Sequence, residues 1–153
     1  MEIAMIPLIR MYLAPQCPSD SYASIEMATA AEQLKQLISE ELFVKFKQSK
    51  GCIYQEPFST VLIGYSLFRY DIELFEQYTN FLFEELHNNQ AVLSKLVNTP
   101  SVVNSFVINI NSMGPEERPY FYLSSTQISF LAEIRASLSF DGYLMFGDEE
   151  ESK

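Results

Sequence analysis

Histidine occurs once, cysteine twice and tryptophan never in this 153-residue chain, and its five glycines stand apart from one another. Each scarcity removes a class of chemistry. A catalytic histidine pair, a phosphorelay or a mixed Cys–His metal centre would have to rest on His87 alone. Cys17 and Cys52 have 34 residues between them and no CxxC spacing, so they read as reduced structural or incidental thiols rather than as a nucleophile or a metal clip. Gly51, Gly64, Gly114, Gly142 and Gly147 are isolated, which excludes a glycine-rich phosphate loop. No basic, apolar leader with a small-residue cleavage site opens the sequence. Pro7, Arg10 and polar residues break every apolar run well short of the roughly 20 residues that a bilayer crossing needs. A cytoplasmic protein without a membrane span is expected.

Basic charge is scarce as well. Ten Lys and Arg stand against 20 Asp and Glu, a formal net charge of −10. Such a surface repels phosphate backbones and anionic lipid, so the expected partner is a basic protein and not nucleic acid or a membrane. The carboxylates gather at Glu40-Glu41, Glu84-Glu85, Glu116-Glu117 and Asp148 to Glu151. Adjacent glutamates on a helix point to different sides, so these pairs read as solvated faces and not as a metal or glycosidase site. No catalytic, cofactor-binding or metal-ligating residue is expected. The residues assigned to partner contact are Glu116, Glu117, Asp148, Glu149, Glu150 and Glu151.

What the chain does have is core. With 48% hydrophobic and 20% charged residues it suits one globular domain over residues 1–147, followed by a disordered acidic tail over 148–153. The stretch Asp71–Thr99 organises it. Phe75, Tyr78, Leu82, Leu86, Val92, Leu93 and Leu96 recur at helical spacing, opposite Glu73, Gln77, Asn80, Glu84 and His87, and a break is expected near Asn88-Asn89. Asp71 stands where an N-cap belongs. Alternation marks strands over Phe58–Phe68, expected to be central, and over Val102–Asn111. Met5–Leu13 reads as a strand whose Pro7 points to an edge position. A helix follows the turn-rich Ala14–Ser21, with Met27, Ala31, Leu34, Ile38 and Leu42 inward; it starts at Ser21 or, through a Thr29–Glu32 capping box, later. Phe43–Lys47 fits a strand or a continued helix. Tyr120–Leu123 reads as a short strand, and Ser124 with Gln127 as a capping box, with Leu123 and Ile128 as its hydrophobic staple. That helix is expected to reach about Leu138, before a closing strand over Phe140–Phe146 with Gly142 as a bulge.

From Phe58 onward the order is strand, helix, strand, strand, helix, strand. The expected fold is therefore α+β: an antiparallel sheet with helices on one face, a ferredoxin-like split β-α-β-β-α-β core preceded by an extra strand and helix. RNA-recognition domains share that topology, and Tyr120, Phe121 and Tyr122 could line a sheet face. Their basic and glycine pattern is missing, however, so ordinary sheet core is the better reading.

The strand VLIGYSLF, the helix opening DIELFEQYTNFLFEEL, the strand VVNSFVINI and the ending FYLSSTQISFLAEIRASLSFDGYLMF resemble an uncharacterised bacterial family, domain of unknown function 4279, over about Gly51–Phe146. That family often begins the strand before its central helix with tryptophan; here Val61 or Tyr65 lies there. The resemblance implies a small sheet-and-helix domain and transfers no catalytic residue. Two classes of function follow. The first is a non-enzymatic binding protein, a small acidic immunity or antitoxin-type inhibitor that masks a basic partner such as a toxin. The second is a small-molecule-binding domain or enzyme with a pocket between the sheet and the N-terminal elements.

Overall fold

A computed structural model describes residues 7–69, 71–110 and 122–142. Along the chain run strands β1 (Ile9–Leu13) and β2 (Gln16–Pro18), helix α1 (Tyr22–Leu37), strands β3 (Phe43–Ser49) and β4 (Phe58–Leu67), helices α2 (Ile72–Asn88) and α3 (Gln90–Val97), strand β5 (Asn104–Ile110), helix α4 (Ser125–Glu133) and strand β6 (Ala136–Gly142). β1 and β2 are two halves of one line: Leu13 faces Ile63 and Gln16 faces Thr60 on β4, so the register passes through Ala14-Pro15 without a shift. Pro15 has no N–H for the ladder, but its carbonyl accepts from Val61 N and from Thr60 Oγ1.

The strands lie in the order β3-β4-β1-β5-β6, with β2 continuing β1 beside β4. Neighbours are antiparallel except β5 and β6, which run parallel. The α+β class is as expected; the purely antiparallel sheet is not. Alternation along a strand tells which side chains share a face but not which way the strand runs. A parallel neighbour needs a crossover, and here α4 lies on the connection.

Several expectations are corrected with it. The first strand is central, between β4 and β5, because Pro7 precedes the paired residues instead of lying among them. Among the described residues before Gly51, β1, β2 and β3 belong to the same sheet as β4, β5 and β6. Thr29 lies inside α1, where its hydroxyl donates to Ile25 O, so the helix begins after Ser21. Tyr122 and Leu123 are not in a strand, and Tyr120 and Phe121 lie outside the described residues. α4 stops at Glu133 because Arg135 takes a left-handed φ of 56°, which the apolar spacing through Leu138 does not reveal. β6 therefore starts at Ala136, and its register against β5 runs unbroken to Gly142, with no bulge there. Residues 143–146 lie outside the described part.

The core sits between the sheet and the helices. Ile9, Met11, Leu13, Ile63, Tyr65, Phe106 and Ile108 point to the helix side and are buried. The helical stripe is as read: Phe75, Leu82, Leu86, Leu93 and Leu96 are buried, and the break falls at Asn89. Asp71 caps α2 by accepting from Glu73 N and Leu74 N, and Ser124 with Gln127 forms the capping box of α4. Polar contacts key the helices in place within this apolar layer. Ser24 Oγ meets Ser59 Oγ at 2.6 Å between α1 and β4, Tyr65 Oη meets Thr79 Oγ1 at 2.7 Å between β4 and α2, and Gln127 Nε2 donates to Asn80 Oδ1 at 2.8 Å between α4 and α2.

Candidate functional site

On α2, Glu73, Glu76, Asn80 and Glu84 recur at three and four residues and are exposed, so they form one stripe along the solvent side of the helix. Turning around the helix from that stripe come Leu74, Gln77, Tyr78 and Phe81. Together with Glu41 from the turn before β3 they line a groove of about 300 Å³.

Two hydrogen bonds hold the far wall of the groove. Glu85 Oε1 accepts from Ser39 N at 2.8 Å, which ties the α1–β3 turn to α2, and Tyr78 Oη donates to Glu41 Oε2 at 3.3 Å. Tyr78 is in turn positioned by Tyr65, with ring centroids 5.5 Å apart. The result is an apolar floor with one carboxylate, Glu41, in its lining; Glu40 is exposed in the same turn and Glu73 and Glu76 on the solvent stripe of α2, while Glu84 lines a separate depression beside His87. Among the described residues the ion pair is Lys35 with Glu32 on α1, so these five carboxylates carry their charge without an internal cation. An aliphatic stem with a cationic head fits such a groove, since the stem covers Leu74 and Phe81 while the head meets carboxylate oxygens and the face of Tyr78.

The opposite sheet face has a different character. Tyr12 and Phe43 flank Gly64 with ring centroids 6.3 Å apart, Lys45 Nζ stands 5.3 Å above the Phe43 ring, and Lys47 follows on the same edge strand. Lysines on an edge strand also discourage pairing with other chains. Tyr12 has its phenol pushed above the usual range by burial and then by Asp141, which Arg10 partly offsets.

The residues assigned to partner contact, Glu116, Glu117, Asp148, Glu149, Glu150 and Glu151, lie outside the described residues. His87 is exposed near the C-terminal end of α2, beside a depression of about 310 Å³ floored by Phe83 and Phe130. Cys17 is buried and Cys52 exposed, both as free thiols. Among the described residues no three His, Cys, Asp or Glu side chains come together as a metal site would require, and no helix is long and apolar enough to cross a membrane. Sequence reasoning placed Glu40-Glu41 on a solvated face and did not bring Glu41 to a groove on α2. Only the turn at Ser39 sets Glu41 beside Tyr78, 37 residues away.

No curated protein and no solved structure matches this chain. The model of the family described as Domain of unknown function (DUF4279) matches residues 70–145, so the segment that runs from the head of α2 through β6 and carries the acidic stripe belongs to that family.

Proposed function

We propose that this chain is a non-enzymatic protein-binding domain of the immunity or antitoxin type, acting in the cytoplasm, whose acidic helix layer masks a basic protein partner. One observation carries the reading: an apolar groove on α2 with Glu41 in its lining, on a helix whose exposed carboxylates Glu73, Glu76 and Glu84 have no cation among the described residues. A lysine or arginine of the partner would lay its stem on Leu74, Tyr78 and Phe81 and its charge against Glu41. Like-signed charge on the rest of the layer would speed the encounter and reject acidic competitors. By charge alone the same role extends to Glu116, Glu117 and Asp148 to Glu151. The split core expected from Phe58 onward lacks its third strand at Tyr122-Leu123, and we read β1 to β5 instead as the ferredoxin-like split arrangement. The order β3-β4-β1-β5 with α1 and α2–α3 as crossovers supports it, and α4 with β6 is then an addition at one edge.

The test is affinity capture from the native host with the parent and with a Glu40→Gln, Glu41→Gln, Glu73→Gln, Glu76→Gln variant. A basic protein retained by the parent and lost by an equally stable variant supports the reading. Capture that is the same for both removes it.

A further inference from the structure

We propose that this chain pairs with a second copy of itself along the outer edge of its sheet, β6 against β6 in an antiparallel register centred on Ser139, independently of the acidic groove. β6 is the last strand of the sheet, and no described strand lies beyond it.

The two edges of the sheet differ. β3, at the other end, sets the exposed Lys45 and Lys47 along its rim, a device that keeps edge strands from pairing with other chains. β6 has no lysine, proline or bulge, and its seven residues hold an unbroken register against β5. Such a strand offers about 23 Å of backbone to an incoming one. The side chains lead to the same edge. Leu138 and Phe140 lie beside Phe106 and Ile108 of β5, hence on the helix side of the sheet, and are 59% and 55% exposed where their β5 neighbours are buried. Phe130 turns toward Phe83 on α2, so Ile128, two residues earlier, lies on the flank of α4 away from α2, and it is exposed as well. The apolar layer between sheet and helices thus runs out to the β6 edge and is open to solvent there.

The strand's own sequence selects a copy of itself as the occupant. About a two-fold axis at Ser139, Leu138 of each copy faces Phe140 of the other, Ser137 faces Asp141, and Ala136 faces Gly142. Apolar meets apolar on the helix side, and no two like charges stand opposite. Asp141, whose carboxylate accepts from Asn109 Nδ2 at 3.1 Å, lies diagonal to Arg135 of the other copy, so opposite charges come within reach of a long side chain. A surface that is its own complement closes as a dimer and stops there. A strip one strand long is at the small end of protein interfaces, so dissociation in the micromolar range is expected.

The experiment is sedimentation equilibrium of the full chain between about 1 and 100 µM, run on the parent, on Ser139→Lys, on Ser139→Glu and on an equimolar mixture of the two variants. Ser139 is exposed, so the monomer tolerates either charge. The parent should pass from monomer to dimer across this range. Each variant sets two like charges face to face at the axis and should weaken dimerisation about tenfold or more, and the mixture, which pairs lysine with glutamate, should recover it. A second arm keeps the test decisive if a charged variant fails to fold. In a Cys52→Ser background, Ser139→Cys should cross-link to its copy on air oxidation while Ser137→Cys does not, because only directly opposed residues come within disulfide reach. The proposal is overturned if the parent stays monomeric at about 100 µM, if both charged variants dimerise as the parent does, if their mixture stays monomeric, or if the two cysteine variants behave alike. None of these results bears on the acidic groove, whose lining lies on α2 and in the turn before β3.

Discussion

Gly64 lies in the middle of β4, opposite Tyr12 on β1 and Phe43 on β3. A methyl group added there would stand 2.0 Å from Met11 O, 2.5 Å from Tyr12 Cβ and 2.7 Å from Tyr12 Cα. Each distance is too short for a real contact, and the atoms belong to a strand paired on both sides, so the neighbour has nowhere to move. Gly64→Ala would gain about 0.4–1 kcal/mol by stiffening the unfolded chain. Overpacking a filled site costs about 1–3 kcal/mol, and more where backbone must shift. A net loss of about 3 kcal/mol is expected, which at about 2–4 °C per kcal/mol for a chain of this length lowers the melting temperature by about 6–12 °C. Urea melts followed by circular dichroism would show the midpoint falling with an unchanged slope. A variant as stable as the parent would refute the close approach of β4 to β1, and with it the register assigned to the sheet centre.

Leu82→Ala should lose about 2–5 kcal/mol, because Leu82 is fully buried under α2, and a parent-like melt would mean that α2 turns another face to the sheet. Ser124→Ala should cost about 1 kcal/mol by removing one arm of the capping box, while Ser124→Asp, which keeps an acceptor for Gln127 N, should recover most of it in the same melts. Tyr65 has its phenol pushed far above the usual range by burial, which the Thr79 hydroxyl only partly offsets. The folded pKa exceeds the unfolded one, so this contribution is whole below about pH 10 and is lost as pH rises further, at about 1.4 kcal/mol per pH unit. Urea midpoints between pH 8 and 11 should bend downward in the parent and bend less in Tyr65→Phe.

The fold was legible in the sequence where one helix or strand carried its own signal. Asp71 and Ser124 name their helix starts because capping is local chemistry among residues two or three apart. The stripe from Phe75 to Leu96 names its buried face because helical spacing needs no knowledge of the partner surface. Strand direction and sheet order were not legible. Whether β6 pairs parallel to β5, or whether β1 lies inside the sheet, depends on crossovers that alternation does not encode. The same limit hid the candidate site. Glu41 and Tyr78 meet only through tertiary packing, and no spacing in the chain announces it.

The central claim is that charge on the helix layer recognises a basic protein, and its most direct test is the association rate of the captured partner across salt concentration. Mixing in stopped flow should give a rate that falls by about tenfold or more between low salt and about 1 M, where the Debye length shrinks to about 3 Å. The Glu40→Gln, Glu41→Gln, Glu73→Gln, Glu76→Gln variant should start slower and depend less on salt. Association that proceeds at the same rate at both salt extremes, in parent and variant alike, would contradict recognition by this acidic surface.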